Sequence, residues 1–258
     1  MAINSVLKAE LKELLIKTVK DKIERYDFSQ TSGNPFVDTL FGKLSPVRSF
    51  IHGTATTLGS FYEIIARKIA ASNPTFAEAK KVVLTGEISS AEKSIITDLV
   101  KDLEEKGTGS VYDSEIKKIY VVKSENLRPT RITIDLYVRD KLGKEFFVEM
   151  KGPDPNKKEV RAAKQDLLNI VAIKKRDVPL EQFHKKVGIL FGIYYNNKKE
   201  KYKNWKVSPL FEDGKGLLVQ EDFWNFLGGK GTYKDMLEII SEAEKELAPI
   251  INKKLNSL

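Results

Sequence analysis

The 258 residues contain no cysteine and only two histidines, His52 and His184. The first absence removes any disulfide framework and any thiolate zinc site, and the second leaves too few imidazoles for a multi-histidine metal centre. No apolar run approaches the roughly 18 residues that a membrane-crossing helix needs. The opening MAINSVLKAELKELL has no continuous apolar stretch followed by a cleavage site. A soluble intracellular, cytoplasmic protein is the expectation. Acidic residues are outnumbered: 44 Lys and Arg against 36 Asp and Glu give a net charge of +8 and a pI near 9.3. That balance suits a polyanionic partner. With 41% hydrophobic residues the chain can bury a substantial core, as one large domain or two small ones.

The most informative stretch is ITIDLYVRDKLGKEFFVEMK, residues 132 to 151. Ile132, Ile134, Leu136 and Val138 alternate with Thr133, Asp135, Tyr137 and Arg139, which predicts a half-buried strand with the four apolar residues on one face. In the second run Phe146, Val148 and Met150 alternate with Phe147, Glu149 and Lys151, so Glu149 and Lys151 share a face. A hairpin symmetric about Leu142 would set Asp135 directly opposite Glu149. Facing carboxylates repel and call for a cation between them. Magnesium fits, because it takes oxygen ligands and binds through one or two carboxylates, and manganese would substitute. Lys151 would position an attacking water or stabilise charge on a phosphate. The plainer alternative is a surface hairpin with an exposed acidic pair and a solvated lysine.

Asp135, Glu149 and Lys151 resemble the motif of the PD-(D/E)XK nuclease superfamily, with Ile134 where the name has proline. The segments VEMKGPDPNKKEVRAAKQDLL, SFIHGTATTLGSFYE and VQEDFWNFLGG look like type II restriction endonucleases of the TdeIII/MjaII kind. The resemblance implies an α/β fold with a mixed central sheet flanked by helices. It also implies a metal held by Asp135, Glu149 and the carbonyl of Met150, and double-strand DNA cleavage at a short site, GGNCC-like. A homodimer matching a palindromic site and a cognate DNA methyltransferase as counterpart follow from the same resemblance. Nucleases of this superfamily often add an acid from an early helix, for which Glu63 is the candidate. Capping of a helix beginning after Ser60, or a pair with Arg67, are its other roles. A structure-specific repair or junction-resolving nuclease, and a non-catalytic DNA-binding module, are the rival functions.

Elsewhere the pattern predicts an amphipathic helix over 4–26, loops to Pro46, and helical stretches over 75–106 with a turn near Gly86. Gly107 to Ser110 would join a helical part, residues 1–106, to a catalytic core, residues 107–258. A strand over 115–123 is followed by the loop NLRPTR carrying Arg128 and Arg131. A helix over 157–175 offers Lys157, Lys158, Arg161, Lys164 and Gln165 to a DNA backbone. KVGILFGIYY reads as a central strand, giving a parallel crossover from the Phe146 strand. In NNKKEKYKNWK, lysines Lys198, Lys199 and Lys203 would meet phosphate while Asn196, Asn197 and Asn204 reach base edges. The last helix would run from Tyr233 to Leu247 and kink or stop at Pro249.

Overall fold

The structure, a computed structural model, describes residues 3–28, 39, 44–107, 109–123, 125–196 and 207–256. In chain order it comprises α1 (Ser5–Arg25), α2 (Leu44–Ser72), β1 (Phe76–Ser89), α3 (Ser90–Lys106), α4 (Tyr112–Tyr120), β2 (Leu127–Asp140) and β3 (Glu145–Lys151). These are followed by α5 (Lys157–Lys174), α6 (Leu180–Lys186), β4 (Val187–Ile193), β5 (Leu217–Val219), α7 (Glu221–Gly228) and α8 (Thr232–Leu255). Contacts divide it into two compact units, Met1–Ile65 with Gly228–Leu258, and Ala66–Leu227. The expected division at Gly107 is not where the packing separates. Gly107 caps α3 in the left-handed conformation, φ 58°, and α3 and α4 on either side of it both pack on α5.

In the first unit α1 begins at Asn4, whose side chain accepts the Leu7 N–H, as an N-cap should. Its buried stripe of Leu7, Leu11, Leu15, Val19 and Ile23 lies against α8. Lys8 bridges Asp235 at 2.5 Å, and Asp235 also accepts the Ile3 N–H at 2.8 Å. Two expectations are corrected here. Pro249 does not stop α8, since the helix runs on through it to Leu255. Ser60 caps nothing, because α2 continues through it and also carries His52. Thr54, Thr56 and Thr57 turn their hydroxyls back onto the carbonyls of Phe50, His52 and Gly53, so they occupy the helix without ending it.

The second unit is built on a five-stranded mixed sheet of order β1-β2-β3-β4-β5, antiparallel from β1 to β3 and parallel from β3 to β5. This is the helix-flanked α/β arrangement expected of a restriction-endonuclease-like fold. β4 is buried at every position, as a strand covered on both faces requires. α5 opens at a capping box of Asn156 and Glu159 and buries Val160, Leu167, Leu168 and Val171.

Three segments differ from the sequence reading. Residues 76–89 form a strand because they pair along their whole length with β2. Gly86 serves packing and not a turn, since a Cβ there would sit 2.5 Å from Ile173 Cγ2. Residues 112–120 are helical: Tyr112, Ile116 and Ile119 are buried at helical spacing, and alternation does not describe them. NLRPTR, expected as a loop, supplies the start of β2 from Leu127.

Candidate metal centre

Pairing between β2 and β3 runs from Arg139↔Glu145 to Leu136↔Val148, which is the register symmetric about Leu142. The ladder ends there, so Asp135 and Glu149 do not form a ladder pair. The reason lies on the other side of β2. Lys80 opposes Tyr137 and Val82 opposes Ile134, so Asp135 and Leu136 together face Lys81. This is a β-bulge, which bends a strand and re-aims side chains. It also breaks the expected alternation. Ile132 and Ile134 share a core with Tyr137, Phe147 and the α5 residues Val160 and Leu167, whereas Leu136 and Val138, equally buried, lie outside that cluster.

Released from the ladder, the Asp135 carboxylate takes the place of a strand carbonyl. Its Oδ2 accepts the Met150 N–H at 3.0 Å, and the Asp135 carbonyl accepts Arg67 Nη1 at 3.3 Å. Lys151 Nζ then touches three oxygens: Glu149 Oε1 at 2.6 Å, the Met150 carbonyl at 3.1 Å and Asp135 Oδ2 at 3.7 Å. Their convergence on one ammonium defines a place for a cation. The side chains of Asp135 and Glu149 are only 15% and 14% exposed, so their charges are poorly shielded by water.

Burial, with the charge of Asp135, pushes the Glu149 pKa up to about 7 against the pull of Lys151. Burial opposes the Lys151 ammonium, yet Glu149 and Asp135 outweigh it and raise its pKa. A carboxyl held partly protonated by its fold stabilises the metal-free protein at low pH. That contribution is complete below the ordinary value of 4.5 and is lost as pH rises through about 7. In chelator, urea midpoints of the wild type are therefore expected to fall relative to Glu149→Gln between pH 5 and 8. Parallel curves would show that Glu149 titrates in its ordinary range.

The sequence reading did not single out Asp166 or Lys81, and named Arg67 only as a partner for Glu63. Asp166 is half-buried on α5, where burial raises its pKa and Lys151 lowers it. Its sequence signal is its ridge, Ala163–Asp166–Ile170, an acid on the core-facing side of the helix. Lys81 Nζ lies 4.0 Å from Asp135 Oδ1. Among the described residues no group of three or more Asp, Glu, His or Cys could hold a metal; the oxygens gathered around Lys151 Nζ are those of two carboxylates and one backbone carbonyl.

Two expected DNA contacts are corrected. Lys164 is 2% exposed and buried between Glu115 Oε2 at 2.5 Å, Ser110 Oγ at 3.2 Å and the Phe211 ring at 4.9 Å. Seven residues along α5, it lies within about 20° of the direction of Lys157, but there, two turns into the helix, that side is covered by Glu115 of α4 and by Phe211. Asn196 is 3% exposed, and its Nδ2 donates to the Pro153 carbonyl at 3.4 Å, securing the turn after β3. Lys157, Lys158 and Arg161 are exposed and Gln165 half-buried on α5, with Arg161 3.7 Å from Glu104. Arg128 and Arg131 are exposed on β2. Asn197, Lys198, Lys199, Lys203 and Asn204 lie outside the described residues. Glu63 sits mid-helix in α2, in the first unit.

Residues 1–244 match the family model described as "Type II restriction endonuclease, HinfI". The chain belongs to this HinfI family. Membership makes it a site-specific deoxyribonuclease with DNA as its substrate. The family description is HinfI, where the segments quoted above resembled the TdeIII/MjaII kind; a type II restriction endonuclease is common to both. Among its relatives are two proteins of Herpetosiphon aurantiacus, the type II restriction enzymes HgiBI, 23% identical, and HgiEI, 24% identical. Each aligns over 277 positions covering 99% of both chains. Type II restriction enzyme HgiCII of the same organism is 26% identical over 210 positions, 80% of this chain and 75% of its own. Among the described residues no helix of this HinfI-family protein is long and apolar enough to cross a membrane.

Proposed function

We propose that this HinfI-family protein is a PD-(D/E)XK nuclease that hydrolyses both strands of duplex DNA at a short sequence, using magnesium held by Asp135, Glu149 and the Met150 carbonyl. The observation that carries this reading is the contact of Lys151 Nζ with oxygens of all three residues. An all-oxygen set with two carboxylates is what magnesium takes, and manganese suits it as well. When bound, the ion would polarise the phosphoryl oxygen and lower the pKa of a water.

The protein's own residues prepare this. The Met150 N–H fixes the Asp135 carboxylate, while Arg67 holds the Asp135 backbone. Glu149 has to give up its proton to act as a ligand, so metal affinity is tied to pH near 7. Lys151 stays protonated beside the two acids and is aimed at charge developing on the phosphate. A homodimer would bring two such centres to opposite strands of a palindromic site, GGNCC-like by the TdeIII/MjaII resemblance, with a cognate methyltransferase protecting host DNA.

Digestion of unmethylated plasmid and phage DNA tests this. Discrete bands are expected with magnesium or manganese and none with chelator, and mapping their ends gives the site. Absence of cutting over a range of unmethylated DNAs, with either metal, would reject the reading.

A further inference from the structure

From Leu127 to Ile134, β2 has a partner on one side only. It pairs with Val82–Ser89 of β1, while β3 joins it only from Leu136 onward. The two strands thus continue past Asp135 as a two-stranded ribbon. One face of the ribbon holds Leu84 opposite Ile132 and Gly86 opposite Thr130, and packs on α5 through Ile173. On the other face Val83 opposes Thr133 and Thr85 opposes Arg131, with Lys81 at the bulge.

All five of these residues are exposed, and the apolar Val83 keeps 42% of its surface in solvent. Among the described residues no ion pair engages Arg131. The strip begins at the metal centre, with Lys81 Nζ 4.0 Å from Asp135 Oδ1. At ~3.3 Å per residue Arg131 stands roughly 13 Å from Asp135, about the rise of four base pairs at ~3.4 Å each.

We propose that this outward face, Lys81, Val83, Thr85, Arg131 and Thr133, is a strip that contacts duplex DNA and positions it across the metal centre. The inference rests on the reading of Asp135, Glu149 and Lys151 as that centre. Two cations match a phosphate backbone. The threonine hydroxyls and the Val83 methyls offer hydrogen bonds and a surface for thymine methyl groups, and the major groove admits a two-stranded β-ribbon. The strip's own carboxylate, Glu87, stands opposite Pro129 at the end away from Asp135.

The test compares full-length wild type, Thr85→Glu, Arg131→Ala and a control, Thr97→Glu, on the exposed side of α3. Affinity for a linear plasmid fragment is measured in chelator across a salt series, cleavage is measured in magnesium, and sedimentation gives the mass. Thr85→Glu is expected to weaken binding by on the order of 10-fold, and Thr97→Glu to leave it unchanged. For Arg131→Ala, a phosphate contact would reduce the slope of log affinity against log salt by about 0.9. A base contact would leave that slope alone and lower affinity only for the fragment carrying the cleavage site; either result supports the strip. Wild-type affinity in both strip variants would overturn it, as would a change in mass without loss of DNA binding, which would mark an interface between copies. A wild type that binds but never cuts would fail the metal-centre reading and leave the strip judged by its own affinities.

Discussion

Replacing Lys151 by alanine is expected to lower the rate of DNA cleavage at saturating magnesium by about 10²–10³-fold, the usual loss when one group that stabilises transition-state charge is removed. Nζ lies within 4 Å of both acids and of the Met150 carbonyl, so the variant removes the ammonium on which all three oxygens converge. Arginine should not restore the rate, because its planar, bulkier head does not fit a place shaped around a compact ammonium. Single-turnover cleavage of a mapped fragment reads the effect directly, and DNA binding in chelator should survive. A rate equal to wild type would take Lys151 out of the chemistry and move attention to Arg67 and Lys81 as the charges beside Asp135.

The second large effect concerns stability. Lys164→Ala is expected to destabilise the protein by about 3–5 kcal/mol, the usual cost of leaving one member of a buried ion pair uncompensated. Lys164 and Glu115 are 3% and 5% exposed at the side chain and meet at 2.5 Å, so solvent cannot take over the lost partner. Burial pulls the Lys164 pKa down against the charge of Glu115, which shows how much the pair depends on itself. Urea unfolding measures the loss, and Lys164→Met with Glu115→Leu should recover most of it by replacing the pair with apolar packing. If Lys164→Ala instead left the unfolding midpoint in place and weakened DNA binding, the side chain would have to be reachable by the duplex.

The candidate acids were legible from sequence because strand periodicity reports directly on which side chains can meet. Glu149 and Lys151 stand two apart on one strand, and the symmetric loop around Leu142 set the register with Asp135. The bulge was not legible, since nothing in ITIDLYV marks the point where two residues oppose one. Its cause lies in the pairing partner β1, which the sequence reading took for helix. AKKVVLTGEIS contains both a lysine pair and a glycine, and only the pairing with residues 127–140 decides for a strand. The same holds for α4, whose nine residues are too short for periodicity to separate helix from strand firmly. Charges were read least well. A lysine on a helix looks solvated until the acid that buries it is known, and Glu115 is 49 residues away from Lys164 in the chain. Asp166 was overlooked for the opposite reason: its place on a core-facing ridge was visible, but Lys151 and Glu149 became its neighbours only through packing.

The bulge at Asp135 has a consequence for how the centre relates to the sheet. Between Tyr137 and Ile134, β2 spends three steps where β1 spends two, so one residue of β2 is supernumerary. Taking Asp135 out of the count would restore the register between Lys80 and Val82, with Ile134, Ile132 and Tyr137 still on one face and Arg131 and Thr133 on the other; the second irregularity, between Phe76 and Glu78, lies elsewhere. The acid sits where that extra residue falls, and its carboxylate accepts the Met150 N–H that the interrupted ladder leaves without a strand carbonyl. Sheet parity is preserved around it, and the candidate centre sits in a local irregularity that the rest of the sheet tolerates.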